Sequence, residues 1–312
     1  MRFLSSRLAR ALCGLFVFYT LVSNAGPAIA HDQGNGPQAT PSQNDLMPPA
    51  RLGAVEWTPQ ELACQGAVVV TGHRGGLGLG THQFDGRRYT ENTIAAFSYA
   101  LGTLGACAVE TDVRRTCDHV LVLNHDAGWW RTTNAVGRVG RKCFPYVARH
   151  HANSGDPIAT YRAMLEAMTN DPSCYRQVEL KSVLATSDLQ QLLDLDASLV
   201  KDPSCVLFTS MELNRLKALD DLSSQVATGF IAPTNQLPDL DSIPAFVDLV
   251  MVSSSAVNND FVLRAHARGL FVSARDVNTV ETFNTMRTLG VDRVVTDSVA
   301  AVAPAMSGTV GQ

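Results

Sequence analysis

Residues able to do chemistry crowd into the stretch from 68 to 126. It contains Gly72-His73-Arg74-Gly75, Glu91-Asn92-Thr93, Glu110-Thr111-Asp112-Val113 and Asn124-His125-Asp126. On a strand, side chains at i and i+2 share a face, so Glu110 and Asp112 point the same way. Two carboxylates so close resist ionising together unless a cation sits between them. Only oxygen donors are on offer, so the cofactor expected is one hard divalent cation, Ca2+ or Mg2+. Glu179-Leu180-Lys181 ends a later apolar run, adding a third carboxylate, Glu179, and a cation, Lys181, for an anionic substrate. Arg74 brings the guanidinium fork that suits phosphate. His73 and His125 both follow apolar runs, and hydrolysing a phosphodiester needs one general base and one general acid. Taken singly, each of these residues has a bland reading as a solvated strand end, an ion pair or a structural histidine. Together they are the equipment for metal-assisted phosphoryl chemistry.

The elements that must position them follow from hydrophobic pattern. Runs rich in β-branched and other apolar residues read as strands at 67–71, 108–113, 120–123, 176–180, 206–209, 226–231, 249–252, 270–273 and 293–295. Amphipathic windows at 93–104, 158–168, 187–200, 211–219, 259–267 and 280–289 read as helices. Thr186 or Ser187 with Asp188, and Thr279 with Glu281, are candidate caps, while Gly269 and Gly290 close two helices. Strand–helix alternation implies a parallel sheet with crossover helices, and near-continuous apolar strands imply a sheet covered on both faces. About eight such units in one domain predict an α/β fold, a closed (β/α)8 TIM barrel, in preference to a doubly wound sheet. In such a barrel the C-terminal strand ends, where the residues above lie, face the active-site mouth. The glycines of Gly75–Gly80 lack the G-x-G-x-x-G spacing of a dinucleotide site.

Residues 1–30 read as a cleaved signal peptide. Arg2, Arg7 and Arg10 precede a short apolar run, and Ala28-Ile29-Ala30 fits a cleavage site. Residues 31–60, rich in Gln, Asn, Pro and Gly, read as a flexible linker, with the catalytic domain over 61–305. An exported protein, secreted or periplasmic, without stable membrane insertion is expected. Three of the 25 basic residues and none of the 29 acidic ones lie in the leader, so the remainder carries −7. That is a poor balance for nucleic-acid binding, which rests on neutralising phosphates. Six cysteines remain after the leader, an even number that suits disulfides in an exported chain. Position suggests Cys64–Cys107 and Cys174–Cys205 below neighbouring strands, and Cys117–Cys143 closing a loop. His82, His119, His150, His151 and His266 lack a comparable setting and read as surface or loop residues.

The ordered set His-Arg-Gly, Glu-Asn-Thr, Glu-x-Asp-Val, His-Asp with Arg-Thr-Thr soon after, Glu-x-Lys and a late Gly-Val-Asp-x-Val-Val-Thr-Asp resembles glycerophosphodiester phosphodiesterases, from about residue 68 to 297. The resemblance implies a TIM barrel that hydrolyses glycerophosphodiesters to sn-glycerol 3-phosphate and an alcohol. It implies His73 and His125 as the acid/base pair, and Glu110, Asp112 and Glu179 as ligands of the cation. Arg74 and Lys181 would hold phosphate, with Glu91 orienting Arg74 or lying near the metal. Three features depart from the family pattern. The segment from Gly76 to Thr90 is long, with Thr90 where proline is common. The stretch after Asp126 is short, and Arg275 stands where tryptophan is common.

A metal-dependent glycerophosphodiesterase is therefore the first reading. A second is a related barrel enzyme acting on intact lipids, as a lysophospholipase D or sphingomyelinase D does. A third is a non-catalytic barrel that binds glycerol phosphates. The expected partner is a small-molecule glycerophosphodiester or a lysolipid.

Overall fold

The computed structural model describes residues 68–168, 175–200, 205–233 and 236–306, so the expected leader and linker lie outside the described residues. The strands are β1 (Val69–Gly72), β2 (Thr81–Phe84), β3 (Arg87–Thr90), β4 (Ala108–Arg115), β5 (Leu121–Leu123), β6 (Tyr175–Leu180), β7 (Val206–Ser210), β8 (Ala227–Ile231), β9 (Leu249–Ser253), β10 (Phe271–Arg275) and β11 (Arg293–Thr296). The α-helices are α1 (Ile94–Gly102), α2 (Phe144–Val147), α3 (Tyr161–Met168), α4 (Thr186–Leu199), α5 (Leu213–Leu222), α6 (Asn259–Ala267), α7 (Val280–Thr288) and α8 (Val299–Met306).

Eight strands, β1, β4 and β6 to β11, pair in parallel, and β1 bonds both β11 and β4, so the sheet closes. The fold is the (β/α)8 barrel expected from the alternation. Register ties the inward faces together: Asp112 lies beside Glu179, Glu179 beside Thr209, Thr209 beside Gly229 and Gly229 beside Leu249. Deeper in the lumen, the Arg293 guanidinium lies 3.7 Å from the centre of the Tyr175 ring. The outer faces of β4, β6 and β7 pack Val109, Val178 and Phe208 with Leu165 of α3 and Leu192 of α4. On the other side, Val250 and Val272 pack with Phe261 and Ala265 of α6.

Two stretches differ from expectation. The 120–123 run is no barrel stave: β5 turns back antiparallel on β4, with Val113 opposite Leu123. Parallel neighbours need a crossover of a dozen or more residues, and the turn between β4 and β5 is far shorter. The long segment from Gly76 to Thr90 forms the β2–β3 hairpin, with Thr81 opposite Thr90. Thr279 caps α7 as expected, its hydroxyl accepting from Thr282 N at 3.1 Å. The cap of α4 falls earlier, at Ala185, where Asp188 accepts from the Ala185 N–H at 2.8 Å. His266 is a buried helix residue rather than a surface one, its Nε2 2.8 Å from Asp292 Oδ2.

The Cys117–Cys143 disulfide forms, with Cα atoms 4.7 Å apart. Cys107 and Cys205 are both disulfide-bonded, while the cysteines expected opposite them, Cys64 and Cys174, lie outside the described residues. No helix among the described residues is long and apolar enough to cross a membrane.

Candidate active site

A single turn, His73–Gly75, carries the chain off the end of β1. Arg74 sits in the left-handed region at φ 52, a conformation costing a non-glycine residue roughly 1–2 kcal/mol. Polar contacts hold it there. Its N–H donates to Glu110 Oε2 at 2.9 Å, its Nη1 donates to Glu91 Oε1 at 3.1 Å, and its Nε lies 3.3 Å from Asp112 Oδ2. The turn then needs glycine at position 76, because a Cβ there would lie 2.5 Å from Val299 Cγ2 and 2.7 Å from Gly72 Cα.

His73 Nδ1 is 2.6 Å from Asp297 Oδ1, which fixes the ring and turns Nε2 toward Glu110, 3.9 Å away. Asp297 follows β11 and is itself held by Asn278, whose Nδ2 donates to Oδ2 at 3.0 Å.

Glu110 and Asp112 project from β4 into the lumen, and Glu179 joins them from β6 by the register above. Oxygens of the three lie within 4.8 Å of one another, and all three residues are buried. Asn92, at φ 58, pins this edge. It donates to Asp112 Oδ2 at 2.9 Å and accepts from the Thr111 hydroxyl at 2.7 Å. Lys181 Nζ lies 2.9 Å from Glu179 Oε2 and 3.6 Å from Asp112 Oδ1. Asp112 Oδ1 is buried and receives no hydrogen bond. An oxygen-only cluster with an open acceptor fits a hard divalent ion.

The reversal at β5 is what brings in the second histidine. Asn124 N–H donates to Asp112 O at 3.0 Å, and His125 follows. Its Nδ1 is 2.7 Å from Asp126 Oδ1, so each histidine has its own carboxylate behind it. Arg131 joins the two halves. Its Nε donates to Asp126 Oδ2 at 2.6 Å, while Nη1 and Nη2 donate to the two oxygens of Glu91 at 2.8 and 2.6 Å.

Electrostatics separate the two histidines. Burial pulls His73 down, but the Asp297 hydrogen bond and the negative charge of Glu110 outweigh it, and the net shift is upward. Burial also pulls His125 down, and there it prevails over the attraction of Asp112, so the net shift is downward. Burial, then the charge of Asp112, pushes Glu110 up to about 8. Burial would raise Asp112 too, but Lys181 and Arg74 hold it low. The Arg131 hydrogen bond, against a smaller effect of burial, brings Asp126 down to about 2.

All eight residues singled out in the sequence, His73, Arg74, Glu91, Glu110, Asp112, His125, Glu179 and Lys181, converge at this mouth. Glu91 stands apart from the three-carboxylate cluster and is engaged by Arg74, Arg131 and the Gly80 N–H. Four more residues share the site: Asn92, Asp126, Arg131 and Asp297. Each lay inside a motif visible in the sequence, but with no partner to assign it. Arg275 ends β10 and donates to Asp276 Oδ2 at 2.8 Å. Trp129 is buried in the core, whereas Trp130 is exposed.

A family model described as the Glycerophosphoryl diester phosphodiesterase family matches residues 73–301. A glycerophosphodiester phosphodiesterase of Bacillus altitudinis is 27% identical over 220 residues, covering 67% of this chain and 89% of the relative. The crystal structure of glycerophosphodiester phosphodiesterase from Agrobacterium tumefaciens superposes with a TM-score of 0.62 at 20% identity, covering 76% of this chain and 99% of that one. An Oleispira antarctica phosphodiesterase solved with the product sn-glycerol-3-phosphate gives a TM-score of 0.66 at 20% identity, covering 77% of this chain and 97% of that one. At these identities the two structures share the fold.

Proposed function

The chain belongs to the Glycerophosphoryl diester phosphodiesterase family and is a phosphoric diester hydrolase, and from that premise we propose how its site works and on what. The reading is metal-dependent hydrolysis of a glycerophosphodiester to sn-glycerol 3-phosphate and an alcohol. The observation that carries it is the pairing of two carboxylate-anchored histidines with three buried carboxylates whose oxygens lie within 4.8 Å.

Glu110, Asp112 and Glu179 would hold one divalent cation, Ca2+ or Mg2+, which supplies Lewis acidity to the non-bridging phosphoryl oxygens. Arg74 has Nη1 on Glu91 and Nε beside Asp112, so Nη2 is its donor for a phosphoryl oxygen. Lys181, which lies on Glu179 and Asp112, offers its ammonium to the same oxygens. These fixed charges stabilise the negative charge that grows in the transition state.

The opposite directions in which their surroundings shift the two histidines, each anchored by its own carboxylate, support one division of roles between acid and base. His125, favoured neutral, takes a proton at Nε2 from the nucleophile, which is water, or a neighbouring substrate hydroxyl whose cyclic phosphate product water then opens to the monoester. The nucleophile's oxygen bonds to phosphorus as the bond to the leaving alcohol's oxygen breaks. His73, favoured protonated, gives its Nε2 proton to that leaving oxygen. Asp126 and Asp297 keep both rings in the tautomer with Nδ1–H directed backwards.

A substrate with a weakly basic leaving group tests this assignment. Toward a p-nitrophenyl phosphodiester, which departs without protonation, His73→Asn should retain most activity while losing it toward glycerophosphocholine. His125→Asn should lose both. The reverse pattern would exchange the two roles. Export is also proposed, secreted or periplasmic, and the Cys117–Cys143 disulfide supports an oxidising compartment.

A further inference from the structure

Large exposed apolar side chains are distributed unevenly over the described residues. Leu79, Trp130, Val136, Val183 and Met211 stand on loops leaving the mouth end of the barrel, and Val280 opens the helix after β10. Leu263 alone lies within a helix further down. Scattered apolar residues need no explanation, but a concentration around one opening does.

Three of them belong together. An antiparallel bridge pairs Gly128 with Arg138, and Trp129 N–H donates to Gly137 O at 3.1 Å. The chain then turns, with Thr133 N–H donating to Trp129 O at 3.2 Å. The Trp130 ring, 64% exposed, lies back over Gly128, and Val136, 62% exposed, stands two residues before Arg138 on the returning side of that bridge. Leu79, 48% exposed, is tied to the same spot through Glu91. The Gly80 N–H and the Arg131 guanidinium, the chain neighbours of Leu79 and Trp130, donate to that one carboxylate.

Charge around these residues runs against the rest of the molecule. Residues 124–160 carry Arg131, Arg138, Arg141, Lys142 and Arg149 against Asp126 and Asp156, a surplus of three in a chain of net charge −4. The β2–β3 hairpin, joined to this segment where Arg87 Nη2 meets Asp156 Oδ1 at 2.6 Å, carries Arg87 and Arg88 against Asp85, and Arg88 is exposed like Arg138 and Arg141. An exposed tryptophan and exposed aliphatic residues on mouth-end loops, within a segment carrying a surplus of basic residues, match an anionic lipid–water boundary in both polarity and sign.

We propose that this face docks the barrel mouth onto an anionic phospholipid surface, so that the site draws phosphodiester headgroups of lysophospholipids from that surface. The substrate class rests on the phosphodiesterase reading above; the docking does not. It is tested by co-sedimenting the full-length protein with vesicles of phosphatidylglycerol and phosphatidylcholine, and with phosphatidylcholine alone. Two double variants are compared with the parent, Trp130→Ser/Val136→Ser and Arg138→Glu/Arg141→Glu. The N-terminal segment is common to all three, so differences report this face.

The parent should bind the anionic vesicles more strongly, and salt should weaken that binding. Each double variant should bind them at least about tenfold more weakly, the first by lost apolar burial and the second by lost attraction. Turnover of soluble glycerophosphocholine should match the parent in both. Turnover of lysophosphatidylcholine carried in anionic vesicles should fall along with binding. Parent-like vesicle binding by both variants, or no preference of the parent for anionic vesicles, would overturn the docking. Patch-dependent vesicle binding without turnover of either substrate would instead break the phosphodiesterase reading and leave the docking standing.

Discussion

The two sides of the barrel wall have the same backbone and opposite duties. On β4 and β6 the register row nearest the mouth carries Asp112 and Glu179. Continued onto β7, β8 and β9, the same row carries Thr209, Gly229 and Leu249. The charged side is an energetic liability, since buried carboxylates cost free energy unless they are paired. It survives because Arg74, Lys181, Asn92 and Arg131 close most of the electrostatic loops. The quiet side has no such debt, and there Val250, Val272, Phe261 and Ala265 pack a continuous apolar layer. A parallel ladder is indifferent to what its inward side chains are, so the lumen of one side can be given to chemistry while helices pack an apolar layer outside both.

Substitutions on either side sharpen that division, and those on the charged side should cost the most turnover. Glu110→Gln should lower turnover by about 10³-fold or more, the loss expected when several kcal/mol of charge stabilisation go. Thermal stability should not fall, because a buried carboxylate pushed up to about 8 is itself penalised. The sign follows from linkage. Because burial and the charge of Asp112 raise Glu110, a cation bound at the proposed site would have to displace a proton there, so cation affinity should weaken as pH falls. Calorimetry in buffers of different ionisation heat should detect that released proton in the parent and miss it in Glu110→Gln. A fall in stability at pH 8 would show that the charged side also holds the fold.

Arg131→Ala should cost about 10²-fold in turnover of soluble substrate, the size of a misplacement effect, without touching the reacting atoms. Its acid behaviour should change as well. Asp126 is held at about 2 by Arg131, so its stabilising contribution is present above the ordinary carboxylate pKa and lost as pH falls toward 2. In the variant that contribution should already be diminished at neutral pH, flattening the acid unfolding curve between pH 4 and 2. Rescue by Arg131→Lys should be incomplete, because an ammonium cannot span Asp126 and both oxygens of Glu91. On the quiet side, Phe261→Ala should leave turnover of the folded protein unchanged while lowering unfolding free energy by about 3–5 kcal/mol. A large change in turnover there would mean that the two sides are mechanically coupled.

All eight staves, and the eight residues that the fold gathers at the mouth, were legible in the sequence, because period and motif are local signals. What could not be read was partnership. Asp297 reaches His73 across 224 residues of chain, and no spacing rule announces that contact. Arg131 stood in a visible motif, yet its role depends on Glu91, 40 residues upstream. The reversal at β5 was legible in principle, since the turn joining it to β4 is too short for a crossover. Pattern alone read the run as a strand and said nothing of its direction. The hairpin in the long segment after Gly76 lacks a regular apolar alternation, and its pairing is set by Thr81, Tyr89 and Thr90 against their partners.

Position 74 illustrates what such a site implies for sequence change. Its backbone, at φ 52, would be eased by glycine or asparagine. Neither carries the guanidinium that reaches Glu91 and Asp112. Lysine keeps the charge but loses the fork and leaves the backbone strain in place. No single residue meets both demands better than the one present, so every one-step exit from arginine at this position runs downhill in fitness. A saturation library should recover position 74 as a fixed point surrounded by tolerant neighbours on the far wall.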